Sequence, residues 1–181
     1  MPATAKSPRP RAGEPWIVDR GPRHMAVLRT VGDPSTAGRT AIPSLYRAVY
    51  ALRMSRKREG HEFRVEPLRA RWPNSRDAPP EEWVGEWALP IPDDVSELPA
   101  KDAPIEVVDW DYGPTAEIVH AGPYATEHES IRKLLAFVDG LGYEIAGPHE
   151  EEYLTRPDAK EPRTIVRYPV RRRAASAAVD G

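Results

Sequence analysis

Two stretches of this chain follow one grammar, and that repetition constrains the fold more than any other feature. From Gly21-Pro22 an extended run reaches Val31, Gly32-Asp33-Pro34 breaks it, an amphipathic segment leads to Gly60, and another extended run ends at Trp72. From Gly113-Pro114 the order recurs, with an extended run to His120, the break Gly122-Pro123-Tyr124, an amphipathic segment to Gly142 and an extended run to Thr155. Each unit reads strand, helix, then two strands. Such a module has one apolar helix stripe and one apolar sheet face, which must cover each other. Two modules side by side predict an α+β fold: a curved antiparallel sheet with helices on one side and a ligand groove on the other, where the modules meet.

The elements follow from local signals. The first helix is expected over residues 39–59, where Ile42, Leu45, Val49 and Leu52 recur near the helical period. The second is expected over 126–141, with Ile131, Leu134, Leu135 and Val138 as its stripe and Thr126 with Glu129 as a capping box. The run 63–72 alternates but changes parity at Pro67, the mark of a bulge or strand break. In the strand 82–91, Trp83, Gly85, Trp87 and Leu89 share a face, and Gly85 leaves space in which a flat ligand could lie. The resulting organisation is a disordered tail at 1–13, one domain at 14–170 and a flexible tail at 171–181. Within the domain, module one spans 14–92, a linker with a short helix near Val95–Leu98 spans 93–104, and module two spans 105–170.

Composition narrows the chemistry. The formal net charge of −2 argues against a direct nucleic-acid binder, which usually carries a basic excess. With no cysteine there is no thiol catalysis and no disulfide. No apolar leader and no membrane-length apolar run is evident, so a cytoplasmic protein without membrane contact is the expectation. Five Trp and seven Tyr against two Phe favour half-wet pockets over a dry aromatic core. No Walker loop, G-x-S-x-G or G-x-G-x-x-G motif occurs, and no cofactor is implied.

One strand concentrates polar chemistry. Gly147-Pro148 opens and Arg156-Pro157-Asp158 closes the run His149-Glu150-Glu151-Glu152-Tyr153-Leu154-Thr155. Strand alternation puts His149, Glu151 and Tyr153 on one face and Glu150 and Glu152 on the other, which reads as a solvated outer face. If the first face lines a groove with Trp72, Trp83 and Trp87, Glu151 loses hydration, and burial raises its pKa toward neutrality. It would then serve as acid or base, with Tyr153 donating to a developing oxygen anion. From spacing alone an equal reading makes Glu151 a rim carboxylate paired with an arginine such as Arg167. A metal site from His149, Glu151 and His120 lacks a supporting spacing, so none is expected.

Taken together, His120-Ala121-Gly122-Pro123-Tyr124, Leu141-Gly142-Tyr143-Glu144, Gly147-Pro148-His149-Glu150-Glu151-Glu152-Tyr153-Leu154-Thr155 and Arg163-Thr164-Ile165-Val166-Arg167-Tyr168-Pro169-Val170 resemble the GyrI-like small-molecule-binding family. Its pattern is H-x-G-P-Y, a helix, G-Y, G-P-x-x-E-x-Y-L-x-D-P and T-x-x-x-x-P-V. The first half resembles stand-alone members in Gly13-Glu14-Pro15 and Gly32-Asp33-Pro34, so the likeness covers roughly Gly13 to Val170. Arg156 stands where the family commonly has Asp before Pro. The resemblance implies tandem modules around a pocket whose buried glutamate is Glu151, binding a small hydrophobic or aromatic molecule, in some members a cation. With Glu151 from the resemblance and the rest from strand parity and groove chemistry, the expected binding residues are Trp72, Trp83, Trp87, His149, Glu151 and Tyr153. Some members it resembles are hydrolases that open the cyclopropane of DNA-alkylating toxins; for such a reaction the site chemistry makes Glu151 and Tyr153 the expected catalytic residues. The family's namesake inhibits DNA gyrase. Sequence implies neither a particular ligand nor an oligomeric state.

Overall fold

A computed structural model describes residues 11–99, 103–156 and 158–174. These form nine antiparallel strands and two α-helices: β1 (Trp16–Arg20), β2 (Arg23–Val31), α1 (Pro34–Arg58), β3 (Arg69–Trp72), β4 (Val84–Pro90), β5 (Ile105–Trp110), β6 (Gly113–Ala121), α2 (Glu127–Gly140), β7 (Tyr143–Ile145), β8 (His149–Tyr153) and β9 (Arg163–Arg172). The sheet runs β1-β6-β9-β8-β3-β4-β2-β5, with β7 also on β9. The α+β architecture and long antiparallel sheet are those the repeat predicts.

The repeat appears in the pairing. Module one orders its strands β2-β4-β3 and module two β6-β9-β8, and β3 meets β8 at the centre. The flanking strands cross over. β1 opens module one yet pairs with β6 of module two, while β5 opens module two yet pairs with β2 of module one.

Helix α1 begins five residues before the expected start. The Asp33 carboxylate accepts from the Ser35 backbone N–H at 2.8 Å, and Pro34 occupies the first turn, where its missing N–H costs nothing. Gly38 lets this helix approach Trp87 closely, because a Cβ there would meet the indole at 3.0 Å. Leu45, Val49 and Leu52 then pack with Ala26, Leu28, Ala70 and Leu89. In module two, Leu134 and Val138 of α2 pack with Ala116, Ile118 and Val166. The expected capping box does not form: the Thr126 hydroxyl donates to the Pro123 carbonyl instead. No helix forms at Val95–Leu98 either, where Val95 is anchored in the module-one core.

The register decides which face carries what. Ala70 of β3, Glu151 of β8 and Val166 of β9 lie abreast. Ala70 and Val166 belong to the two helix-packed cores, so Glu151 faces the helix-bearing side. The groove anticipated opposite the helices is therefore not where the Glu151 face looks. The strand pairing rotates that whole face onto the helices' side.

The opposite face is neither solvated nor an outer rim. Glu150 is 1% exposed and Glu117 fully buried, and Arg167, 1% exposed, reaches three carboxylates. Its guanidinium donates to Glu117 at 2.9 Å, Glu150 at 2.8 Å and Glu152 at 2.7 Å. Arg71 Nε donates to Glu150 at 2.7 Å, and the Tyr112 hydroxyl donates to Glu150 at 2.9 Å. Trp110 covers the network, with the Arg71 guanidinium 3.8 Å from its ring centre. Glu150 and Glu152, expected outside, are buried because three guanidinium groups from two neighbouring strands, Arg69 and Arg71 of β3 and Arg167 of β9, neutralise them.

Much of the expected tails, residues 1–10 and 175–181, lies outside the described residues. Strand β9 continues to Arg172, and Gly13 N–H donates to the Val119 carbonyl at 2.8 Å. Among the described residues no helix is long and apolar enough to cross a membrane.

Replacing Arg167 with Met should destabilise the fold by about 3–5 kcal/mol, because three buried carboxylates lose a shared cation. Removing the exposed Arg156–Asp158 pair with Arg156→Ala should change stability by less than about 1 kcal/mol. Urea unfolding of both variants checks the contrast, and equal midpoints would refute it.

Candidate functional site

Strand β8 presents His149, Glu151 and Tyr153 on the helix side. Glu151 is held on both oxygens: His149 Nε2 lies 3.0 Å from Oε1, and the Tyr153 hydroxyl donates to Oε2 at 2.6 Å. His149 is held in turn by the Tyr168 hydroxyl of β9, 2.8 Å from Nδ1. Glu127, the first residue of α2, brings a second carboxylate to the same place. Its ligating oxygen lies within 4.8 Å of those of His149 and Glu151. Tyr124 meets the Tyr153 ring edge-on at 6.0 Å.

This environment separates the two carboxyls. Burial pushes Glu151 up, but the hydrogen bond and charge of His149 and the hydrogen bonds of Tyr153 and Glu127 outweigh it, so the carboxyl lies below its ordinary value. Glu127 has no such donors. Burial and the Glu151 charge push it up to about 8. The expectation that burial would raise Glu151 toward neutrality is thus reversed, and the proton belongs to Glu127. Burial and the Glu151 charge raise Tyr153 well above the ordinary phenol value, so it remains a donor.

The anticipated residues are only partly gathered. His149, Glu151 and Tyr153 form one group, and Trp72 lies directly across from His149 in the sheet register. Trp72 and His149 also line a cavity of about 270 Å³ with Arg76, Gly147 and Pro148. Trp83 and Trp87 stand behind Trp72, with ring centres 5.9 and 5.2 Å from it. Trp87 is 4% exposed, packs against Gly38 and donates to the Thr30 hydroxyl at 3.0 Å, which makes it a core residue. The space left by Gly85 is filled by Trp72 rather than open to a ligand, since a Cβ there would meet that ring at 2.9 Å.

Two sequence alternatives are resolved by geometry. Arg167 points to the opposite face and pairs with Glu117, Glu150 and Glu152, not with Glu151. His120 is engaged with Ser130 at 2.9 Å and the Pro123 carbonyl at 3.0 Å, and Glu127 takes the place considered for it beside His149 and Glu151. Glu127, Tyr124 and Tyr168 were not anticipated as site residues. Tyr124 stands within the H-A-G-P-Y motif and Tyr168 has the strand parity of Val166, so each carried a usable signal. Glu127 carried none beyond its place at a helix start.

The family model for the GyrI-like small molecule binding domain matches residues 13–171. The chain belongs to the GyrI-like family. No curated protein sequence matches it. Among solved structures, it is similar to an uncharacterized conserved protein from Listeria innocua, with a TM-score of 0.79, 22% identity, and 88% of this chain and 93% of that one covered. It is also similar to a hydrolase from Listeria innocua, with a TM-score of 0.75, 23% identity and the same coverage. The C-terminal domain of EcmrR gives a TM-score of 0.69 at 13% identity, with 88% and 98% covered. At these identities the likeness concerns the fold of this GyrI-like domain.

A carboxyl with a raised folded pKa binds more protons folded than unfolded, so its contribution to stability is lost as pH rises. For Glu127 that window runs from about 4.5 to about 8. Glu127→Gln should remove this part of the slope, so the variant should lose less stability than the parent between those limits. Thermal melts of chelator-treated protein across the range read the difference, and parallel curves would contradict the proton assignment.

Proposed function

We propose that this GyrI-like domain binds a small aromatic molecule carrying a positive charge, with Glu151 as its counter-ion. One observation carries the reading: a mostly buried carboxylate, its side chain 14% exposed, with no Arg or Lys within 4.0 Å among the described residues. Its donors are an imidazole and a phenol, and the surrounding rings are Tyr153, Tyr124 and, beyond His149, Trp72. A desolvated anion beside several aromatic rings favours an organic cation on two counts, by direct charge and by the ring quadrupoles. Trp72, itself 4% exposed, contributes contact where it lines the cavity, while Trp83 and Trp87 brace it. Quenching of tryptophan fluorescence by a planar aromatic cation such as ethidium tests this. Glu151→Gln should weaken binding at least tenfold, about 1.4 kcal/mol, and should not weaken a neutral ring of the same shape. Equal affinity of the variant for the cation would remove Glu151 as counter-charge.

A second reading rests on the two donors meeting on one carboxylate. In a hydrolase of cyclopropanoid alkylators, Glu151 accepts a proton from water as the water oxygen bonds to the strained carbon. The ring C–C bond breaks, its electron pair moves to the conjugated oxygen, Tyr153 donates a hydrogen bond to that oxygen, and the oxygen then takes up a proton while Glu151 releases the one it accepted. Incubation with a cyclopropanoid alkylator and mass spectrometry should then reveal a product heavier by one water, lost in Glu151→Gln. Unchanged compound with retained binding would leave the binding reading alone.

A further inference from the structure

We infer that Glu127, His149 and Glu151 form a site for a single divalent transition-metal ion, with Zn²⁺ the best match to the donor set. This goes beyond organic-ligand binding and uses a residue, Glu127, that the ligand reading does not need.

Geometry carries the inference. The three donor atoms come from two elements, the first turn of α2 and alternate positions of β8, and lie within 4.8 Å of one another. Glu127 is 7% exposed, its carboxyl lies against that of Glu151, and among the described residues no N–H donor and no hydroxyl reaches its buried Oε2. Two carboxyls packed together away from water repel when both are ionised, and a cation coordinated between them offsets that cost.

The other two side chains are already oriented. The Tyr168 hydroxyl engages His149 Nδ1, which leaves Nε2 directed at Glu151. The Tyr153 hydroxyl occupies Glu151 Oε2, which leaves Oε1 directed at His149. Fixing the outer atom of each ligand by a second partner is how protein metal sites hold their ligands. Those two atoms, bonded to each other here, are 3.0 Å apart. Neighbouring ligands of tetrahedral zinc, each about 2.0–2.1 Å from the metal, stand about 3.3 Å apart. A small side-chain rotation therefore opens the pair enough to share an ion.

The donor set also discriminates. One imidazole nitrogen with two carboxylates suits Zn²⁺, whereas Mg²⁺ and Ca²⁺ favour oxygen ligands alone. Three protein ligands leave a fourth position for water or a bound molecule. The ion would neutralise Glu151, so it and an organic cation exclude each other.

The test uses the full chain stripped with chelator, titrated calorimetrically with ZnCl₂ or MgCl₂ at near-neutral pH, with Co²⁺ as a spectroscopic probe. The expected result is one Zn²⁺ per chain at low-micromolar affinity or tighter, with Mg²⁺ far weaker and visible Co²⁺ absorption bands. Glu127→Gln and His149→Asn should each abolish the bands and weaken Zn²⁺ more than tenfold. Tyr168→Phe, which removes only the outer partner of His149, should cost about 10–100-fold. His61→Ala, on the exposed surface, should change nothing. Absence of saturable Zn²⁺ binding, Mg²⁺ as tight as Zn²⁺, or unchanged affinity in a folded Glu127→Gln protein would each overturn the inference. Aromatic-cation binding is measured on the metal-free protein, so its outcome stands apart from this one.

Discussion

The seam between β3 and β8 is held by buried charge, and the rest of the molecule depends on it. Arg69 and Arg71 lie opposite Glu152 and Glu150, and Arg167 joins them from the next strand. A slip of one residue would turn every side chain to the other face. Arg71 would enter the aromatic core, and Glu150 and Glu152 would lose their cations. The network therefore sets the register, and the register brings His149, Glu151 and Tyr153 beneath the start of α2. One five-residue strand serves both purposes, its even positions locking the seam and its odd positions building the site.

The repeat also explains why there is one such site. Pro90 closes the β2·β4 ladder opposite Met25, and Pro169 closes the β6·β9 ladder opposite Thr115. Three residues back lie Trp87 and Val166, whose partners are Ala70 and Glu151. Ala70 is thus the module-one counterpart of Glu151, and the two face each other across the seam. The pseudo-two-fold axis runs through that pair. The chemistry lies on the axis yet comes almost wholly from module two, while module one supplies Trp72 as the counterpart of Tyr153.

Sequence showed the repeat, both helices and the alternation that unites His149, Glu151 and Tyr153, because each is a local or periodic signal. It misplaced Glu150 and Glu152 for a physical reason: charge alone predicts exposure, and only tertiary structure supplies the arginines that make burial tolerable. The side of the sheet facing the helices was equally hidden, since alternation separates two faces without saying which is covered. Glu127 was out of reach because it meets Glu151 through the docking of α2, a long-range contact with no spacing rule. With Glu127 absent from view, the shift of Glu151 took the wrong sign, as burial was weighed without the donors of His149 and Tyr153. Trp83 and Trp87 were grouped with Trp72 correctly, but parity cannot distinguish a pocket wall from the layer behind it.

The exchange of β1 and β5 bears on how the molecule comes apart. Each half of the sheet ends in a strand that belongs, along the chain, to the other half. Severed anywhere between the modules, neither piece retains its own edge, and each exposes an unpaired strand face ready to join another chain. Folding of the halves is therefore mutual rather than sequential. The site on their common axis comes into being only with the complete sheet, so a partly folded chain presents no half-built pocket to a ligand.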